Sequence, residues 1–296
     1  MTPERRPKVL ITGARGQIGS ALQATAPGTW EIVPCGSDEL DVTRGDAARA
    51  VMARERPTVV IHAAAYTDVD SAEREVERAE AVNAAGPANV AAAASEVGAR
   101  MIYISTDFVF DGSLGRPYVP EDQARPLSVY GRSKLAGERA VLDGDGVSSL
   151  VVRTAWVYSA HGRRNFVRTM LALMKTQSSV GVVSDQVGTP TWARPLAQAL
   201  WSAAEQPELG GIVHWTDAGV ASWYDFAVAV QEEALAGGLL TRAVPIHPLR
   251  TVEFPRPARR PPYSVLDKTT GWRALGGPAA HWRSNLRCML ESLPHA

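Results

Sequence analysis

At 296 residues with 45% apolar and 21% charged side chains, the chain has the material for one large globular domain or two modest ones with a sizeable core. Its 31 acidic and 31 basic residues cancel, so no net field draws it onto nucleic acid or a membrane surface, and neither partner is expected. Cys35 and Cys288 lie far apart without CxxC spacing, which disfavours a disulfide framework or thiolate metal site and fits a reducing cytoplasm.

The N-terminal "MTPERRPKVL" leads into an apolar run that glycine ends within a few residues, too short for a signal segment or a membrane span. A soluble, unprocessed cytoplasmic protein is the expectation. From there, short β-rich runs alternate with alanine-rich amphipathic stretches. "KVLIT" (8–12), "WEIVP" (30–34), "TVVIHAAA" (58–65), "RMIYIST" (100–106) and "SSLVVRTAWV" (148–157) are near-continuous apolar runs, as strands buried on both faces should be. Helical patterns fill 17–26, 44–55, 71–97 and 128–142, with Gly86-Pro87 predicting a break in the third. Strict alternation of this kind predicts an α/β, Rossmann-type doubly wound parallel sheet.

Beyond residue 160 the rhythm loosens into helical stretches near 164–175, 194–205, 222–236 and 279–291 and short strands near 180–183 and 211–215. "PIHPLRTVEFPRPARRPPY" is too rich in proline for a helix or a central strand and reads as an irregular arm. The expected organisation is a dinucleotide-binding domain over 1–157, a segment 164–205 that packs back on it, and a smaller mixed substrate-binding lobe over 206–296.

The first strand flows into "TGARGQIG", where Gly13, Gly16 and Gly19 precede a helix. Glycines there let the backbone turn sharply, approach a pyrophosphate and press the helix onto the sheet, with the anion on the exposed amides of the helix N-terminus. An acid that reads the ribose is expected directly after the second strand, but "PCGSDELDV" offers Asp38 and Asp41 only later. Its absence removes the usual repulsion of a 2′-phosphate, and Arg15 would pair with one, so NADPH is favoured with NADH still possible.

The fourth strand ends in Ser105, Thr106 and Asp107 at the carboxyl edge, where open parallel sheets bind ligands. Then "SVYGRSKLAGERAV" starts a helix with Ser128 as a cap and puts Tyr130 and Lys134 on one face. A free phenol has a pKa near ~10, and a neighbouring ammonium lowers it toward a usable acid. With a nicotinamide in the glycine loop, this predicts hydride delivery to a carbonyl while Tyr130 protonates the alkoxide, Lys134 tunes it and reaches the ribose, and Thr106 completes the hydrogen-bond path.

Taken together, "TGARGQIG", "AAAYTDVDSAE", "VNA" (82–84), "STDFVFDG", "YGRSKLAGE", "RTAWVY", "NFVRTM", "SDQVGTPT" and "PARRPPYSVLD" resemble an extended short-chain dehydrogenase/reductase and, within that group, the dTDP-4-dehydrorhamnose reductase family, over nearly the full length. The first and fifth belong to the wider superfamily, whereas "STDFVFDG", "AWVY" and "DQVGTPT" are narrower. The resemblance implies NAD(P)H-dependent reduction at C4 of dTDP-4-dehydro-6-deoxy-L-mannose (dTDP-4-dehydro-L-rhamnose) to dTDP-L-rhamnose. It implies Tyr130 as proton donor with Lys134 as its partner, and Thr106, Asp107 and Trp156 against the sugar nucleotide. On the cofactor side it implies Gly16, Gln17 and Ile18 at the pyrophosphate turn, Asp41 and Val42 at the adenine, and Ala63, Ala64, Ala65, Tyr66 and Thr67 at the edge of the third strand. Arg260 of "RRPPYS" is a candidate for the diphosphate. Arg194 stands where some relatives carry an acid that forms a magnesium-linked dimer; arginine does not ligate a cation, so monomer and homodimer both stay open and no metal is expected.

Of the tryptophans, Trp30, Trp201, Trp272 and Trp282 sit in ordinary apolar patterns, and only Trp156 has a motif behind it. The histidines lack HxH or HExxH spacing, His62 reads as a core group, and no GxSxG elbow suggests a hydrolase. The competing readings are a reductase or epimerase of another nucleotide sugar and a non-catalytic regulatory subunit of the same fold. The intact glycine loop, Tyr130 and Lys134 speak against the last.

Overall fold

Alternating residues of the buried strands face opposite sides. Val9, Ile11, Val59, Ile61, Ile102, Ile104, Leu150 and Val152 enter one apolar core, while Leu10, Val60, Met101, Tyr103 and Val151 enter another. The computed structural model describes residues 6–143, 149–162 and 164–293. Residues 1–5, on which the leader reading partly rests, and Ser148, the start of the expected fifth strand, lie outside them, as do the last residues of the expected second lobe.

The strands are β1 (Lys8–Thr12), β2 (Glu31–Cys35), β3 (Val59–His62), β4 (Arg100–Thr106), β5 (Leu150–Thr154), β6 (Val157–Tyr158), β7 (Val180–Val183), β8 (Val187–Gly188), β9 (Thr191–Trp192), β10 (Gly211–His214), β11 (Ala221–Ser222) and β12 (Ile246–Leu249). The helices are α1 (Gln17–Ala24), α2 (Gly45–Glu55), α3 (Val69–Ala72), α4 (Val76–Glu80), α5 (Gly86–Glu96), α6 (Val129–Leu142), α7 (Phe166–Thr176), α8 (Ala193–Ala204), α9 (Trp223–Ala236), α10 (Thr269–Ala274) and α11 (Trp282–Glu291). A parallel six-stranded sheet runs in the order β10-β5-β4-β3-β1-β2. Helices α1 and α8 cover one face, and α2, α5 and α6 the other. The chain moves outward from β1 to β2 and returns on the other side of β1 at β3, so the crevice for a ligand opens beyond the carboxyl ends of β1 and β3.

Three local differences from the sequence reading have physical causes. Between α4 and α5 the chain does not break at Gly86-Pro87 but passes through a π-helical turn, Ala81–Ala85. Pro87 has no N–H to return to the Asn83 carbonyl, which accepts from Tyr103 Oη at 3.3 Å instead. The expected strand 148–157 ends at Thr154, because Trp156 turns the chain with φ of 47° before β6 pairs with β9. The lobes also divide differently. β10 lies within the stretch expected to form the second lobe, yet it is the edge strand of the main sheet. Of the segment expected to pack back, α8 does so, whereas α7 joins a separate core with β7, α9 and α11 around Phe226 and Leu286.

The proline-rich arm opens as β12, which pairs with β7 in a two-stranded sheet, makes a 3-10 turn at Thr251–Glu253 and then crosses both lobes. Arg260 and Arg256 reach Asp70 of α3, Ser264 reaches Asp107, and Asp267 N donates to Tyr118 O, while Val187 and Ser264 exchange backbone bonds with the arm and β8. Among the described residues no helix is long and apolar enough to cross a membrane.

Candidate active site

Gly13 takes the left-handed conformation, φ 64°, and a Cβ there would lie 2.7 Å from Ala64 N, so the β1 turn presses directly on the edge of β3. Gly16 N donates back to Gly13 O at 2.9 Å, closing the turn, and Gly19 lets α1 lie against it. Thr12 Oγ1 accepts from Ala64 N at 3.2 Å and ties the two strand ends together. A cavity of about 630 Å³ opens there, lined by Arg15, Gly16, Gln17 and Ile18 on one side and Ala63, Ala65 and Thr67 on the other. Thr106, Tyr130, Lys134 and Trp156 line the same cavity.

Tyr130 and Lys134 are delivered by α6. Its first turn is capped by Ser128 Oγ, which accepts from Gly131 N at 3.1 Å, and Val129 N donates to Glu73 Oε1 at 2.8 Å. Gly131 lets this turn touch the chain after β4, since a Cβ would meet Phe108 O at 2.3 Å. Lys134 is buried, donates from Nζ to Ile104 O at 2.7 Å and sits 4.0 Å from the Tyr103 ring centroid. Burial pulls its ammonium down to about 7, against the opposing pull of the Glu138 carboxylate.

The phenol of Tyr130 moves the other way from the expectation. Burial pushes it up to about 12, with hydrogen bonding to Thr106 partly offsetting that and the Asp107 charge adding to it. Lys134 is turned to the Ile104 carbonyl and is not among the groups that set this shift, so the desolvation of the phenolate dominates. Tyr130 is therefore firmly protonated at neutral pH, the form a proton donor requires.

The other expected residues are distributed as follows. Asp107 is buried behind Thr106 and outside the cavity wall; its carboxylate accepts from Thr106 Oγ1 at 3.0 Å and Ser264 Oγ at 2.6 Å, and burial raises it to about 6. Arg15 is exposed, its guanidinium bracketed by Asp38 and Glu39, so a 2′-phosphate would compete with two carboxylates. Asp41 and Val42 lie outside this cavity: Asp41 accepts from Thr43 N and Oγ1, and Val42 packs into the core. Ala64 and Tyr66 also stand back from it, Tyr66 with its ring 5.4 Å from the Arg78 guanidinium. Arg260 lines a second cavity of about 720 Å³ and forms two bonds to Asp70, at 3.0 and 2.9 Å.

Sequence reasoning missed several groups. Asn83 of the "VNA" run clamps the backbone of Tyr66, accepting from its N at 2.8 Å and donating to its O at 3.0 Å, which fixes the β3 edge of the cavity. Its position in a motif was the signal. Glu138, buried with Ser105 and Arg153, stands on the side of Lys134 and was hidden because its partners come from two other strands. Thr154, in register beside Thr106, lines the cavity with a buried hydroxyl that has no hydrogen-bond partner. Among the described residues no group of three or more His, Cys, Asp or Glu is placed to hold a metal ion.

A glycine cradle facing buried hydroxyls and a tyrosine–lysine pair is a geometry for carbonyl reduction on a dinucleotide, and similarity to known proteins narrows it. The family model described as the RmlD substrate binding domain matches residues 7–294. The chain is 43% identical over 295 residues to the dTDP-4-dehydrorhamnose reductase of Mycobacterium tuberculosis, covering 97% of this chain and 94% of that one. It is 39% identical over 287 residues to that of Aggregatibacter actinomycetemcomitans, covering 95% and 97%. The crystal structure of dTDP-4-dehydrorhamnose reductase from Bacillus anthracis in complex with NADP superposes with a TM-score of 0.90 at 36% identity, covering 96% of this chain and 99% of that one. With a match of this extent in both sequence and fold, the chain belongs to the RmlD family, that of the dTDP-4-dehydrorhamnose reductases.

Proposed function

We propose that the chain is an NADPH-dependent reductase that converts dTDP-4-dehydro-6-deoxy-L-mannose to dTDP-L-rhamnose at C4. The observation that carries this reading is the convergence of the glycine turn, Thr106, Tyr130 and Lys134 on one cavity. The residues fit the cofactor: Gly16 presents a bare stretch of the turn in the cavity wall for a diphosphate, and the unpartnered Thr154 hydroxyl waits there for a polar ligand group. NADPH, when bound, supplies the hydride.

The chain's own residues then hold and move the proton. Tyr130 Oη gives its proton to the oxygen on C4, and hydrogen bonding to Thr106 partly offsets the burial of the phenolate left behind. In the resting site the Thr106 hydroxyl gives its proton to Asp107, so it turns toward Tyr130 only as the phenolate forms. Trp156 walls the sugar, and Arg260, aligned by Asp70, takes the diphosphate in the neighbouring cavity. We place the enzyme in the cytoplasm, which free Cys35 and Cys288 support, and read it as a monomer or homodimer.

The test supplies the dTDP-4-keto sugar with NADPH or NADH, follows the nicotinamide absorbance, and determines the C4 configuration of the product. Net NADPH consumption with dTDP-L-rhamnose formed is expected; sugar conversion without consumption points to an epimerase. Tyr130→Phe should lower kcat by about 100-fold or more with NADPH affinity nearly unchanged. Near-normal turnover in that variant removes Tyr130 from the proton-donor role.

A further inference from the structure

The two narrow motifs "AWVY" and "DQVGTPT" meet in space at one indole. Trp156 holds φ of 47°, a left-handed conformation unfavourable for a bulky side chain and retained only where surroundings enforce it. The enforcing groups are visible. Trp223, the first residue of α9, stacks on Trp156 with ring centroids 3.4 Å apart and planes 4° from parallel. Gly188 also stands against the indole, where a Cβ would lie 2.5 Å from Trp156 Cε2 and 2.6 Å from its Nε1. Gly188 itself has no positive φ, so its backbone admits alanine, and the nearest atoms a Cβ would meet are those of the indole.

The supports are rigid and belong to one unit. Gly188 pairs with Ala221 across β8 and β11, and β11 runs straight into Trp223 through the Ser222–Asp225 capping box. Phe166 backs Trp223 at 4.7 Å. Isolated aromatic pairs prefer offset or edge-on contact, so this face-to-face stack is imposed by the fold. Trp156 lines the cavity that contains Tyr130, while Trp223 lines the neighbouring cavity of about 720 Å³, so the stacked pair forms the partition between the two.

We propose that Gly188 and Trp223 are positioning residues that fix the indole plane of Trp156 and thereby determine how the nucleotide sugar is seated, without acting on the cofactor. This rests on the reading of Trp156 as the residue that walls the sugar. Gly188 gives the indole room, Trp223 sets its plane, and the two motifs are joined by that requirement.

The experiment measures Gly188→Ala, Trp223→Ala, Trp223→Phe and Trp156→Ala for KM and kcat with the dTDP-4-keto sugar, for NADPH binding, and for the near-ultraviolet circular dichroism of the stacked indoles. Gly188→Ala and Trp223→Ala should raise sugar KM about five- to tenfold, roughly 1 to 1.4 kcal/mol, while NADPH affinity stays within about twofold; Trp223→Phe should lie between them and the parent. Both Trp223 variants should lose the stacked-indole signal. If Trp156→Ala raises KM but Gly188→Ala and the Trp223 variants leave it unaltered after the signal is lost, the positioning role is overturned and the reading of Trp156 survives. If Trp156→Ala also leaves KM unaltered, that reading fails and the proposal falls with it. NADPH binding shows that each variant is folded, and Trp223→Phe, which keeps an aromatic ring at the site, stands in if Trp223→Ala does not fold.

Discussion

Replacing Glu138 with glutamine keeps its volume and deletes one charge at the most enclosed ion pair in the chain's first lobe. The carboxylate accepts from Ser105 Oγ at 2.5 Å, Arg153 Nε at 2.9 Å and Arg153 Nη2 at 2.7 Å, with the side chains of Arg153 and Glu138 only 3% and 2% exposed. After Glu138→Gln the guanidinium keeps Pro120 O at 3.2 Å and the His214 ring, which burial holds neutral by pulling it down to about 3. Orphaning one partner of such a pair costs about 3 to 5 kcal/mol. That is a large share of the ~5 to 15 kcal/mol that holds a folded chain. With a urea m-value of about 3 kcal/mol/M, the unfolding midpoint followed by tryptophan fluorescence should fall by about 1 to 1.7 M. There is a second readout in the active site, because the Glu138 charge is what opposes the downward pull of burial on Lys134. Without it the ammonium titrates below about 7, and NADPH affinity should begin to fall at lower pH than in the parent. The paired variant Glu138→Leu with Arg153→Met, which removes both charges, should recover much of the stability. A midpoint loss worth under about 1 kcal/mol, together with an unaltered pH profile, would refute the assignment of this pair.

Lys134 gives a direct pH prediction. Since its ammonium is held at about 7 and an anionic cofactor favours the charged form, NADPH binding takes up a proton and its affinity should fall as pH rises through neutrality; Lys134→Met should bind weakly and flatten that dependence in a fluorescence titration. Asp38→Asn combined with Glu39→Gln should free Arg15 for a 2′-phosphate and raise the preference for NADPH over NADH, read as the ratio of kcat/KM values; no change in the ratio removes Arg15 from cofactor choice. Asp70→Asn should raise sugar KM, and its effect should be strongly non-additive with Arg260→Ala, because one acts through the other; additive effects in the double-variant cycle would contradict the alignment role.

The local features of the first lobe were readable because short-range patterns specify them. The apolar runs at 8–12 and 100–106 coincide with β1 and β4, Gly13 and Gly16 fall in the β1–α1 turn, and Gly19 lies in the first turn of α1. What depends on distant partners was not readable. Nothing near Trp156 announces that Gly188 and Trp223 will bend it out of the expected strand. Nothing near Gly211 announces that it will pair with Leu150 and close the main sheet. The direction of the Tyr130 shift also escaped, since a four-residue spacing reports which face two side chains share but not that the ammonium will turn to the Ile104 carbonyl.

The arm that carries Arg260 and Ser264 comes long after α3 and β4 in the chain, yet it supplies partners to Asp70 and Asp107 beside them. A nascent chain can complete the glycine turn and α6 well before this, but Asp70 and Asp107 stay without these partners until residues 260 and 264 arrive. The edge of β5 likewise stays open until β10 is made. The arm side of the site is thus completed only by residues that follow the glycine turn and α6 at long range in the chain.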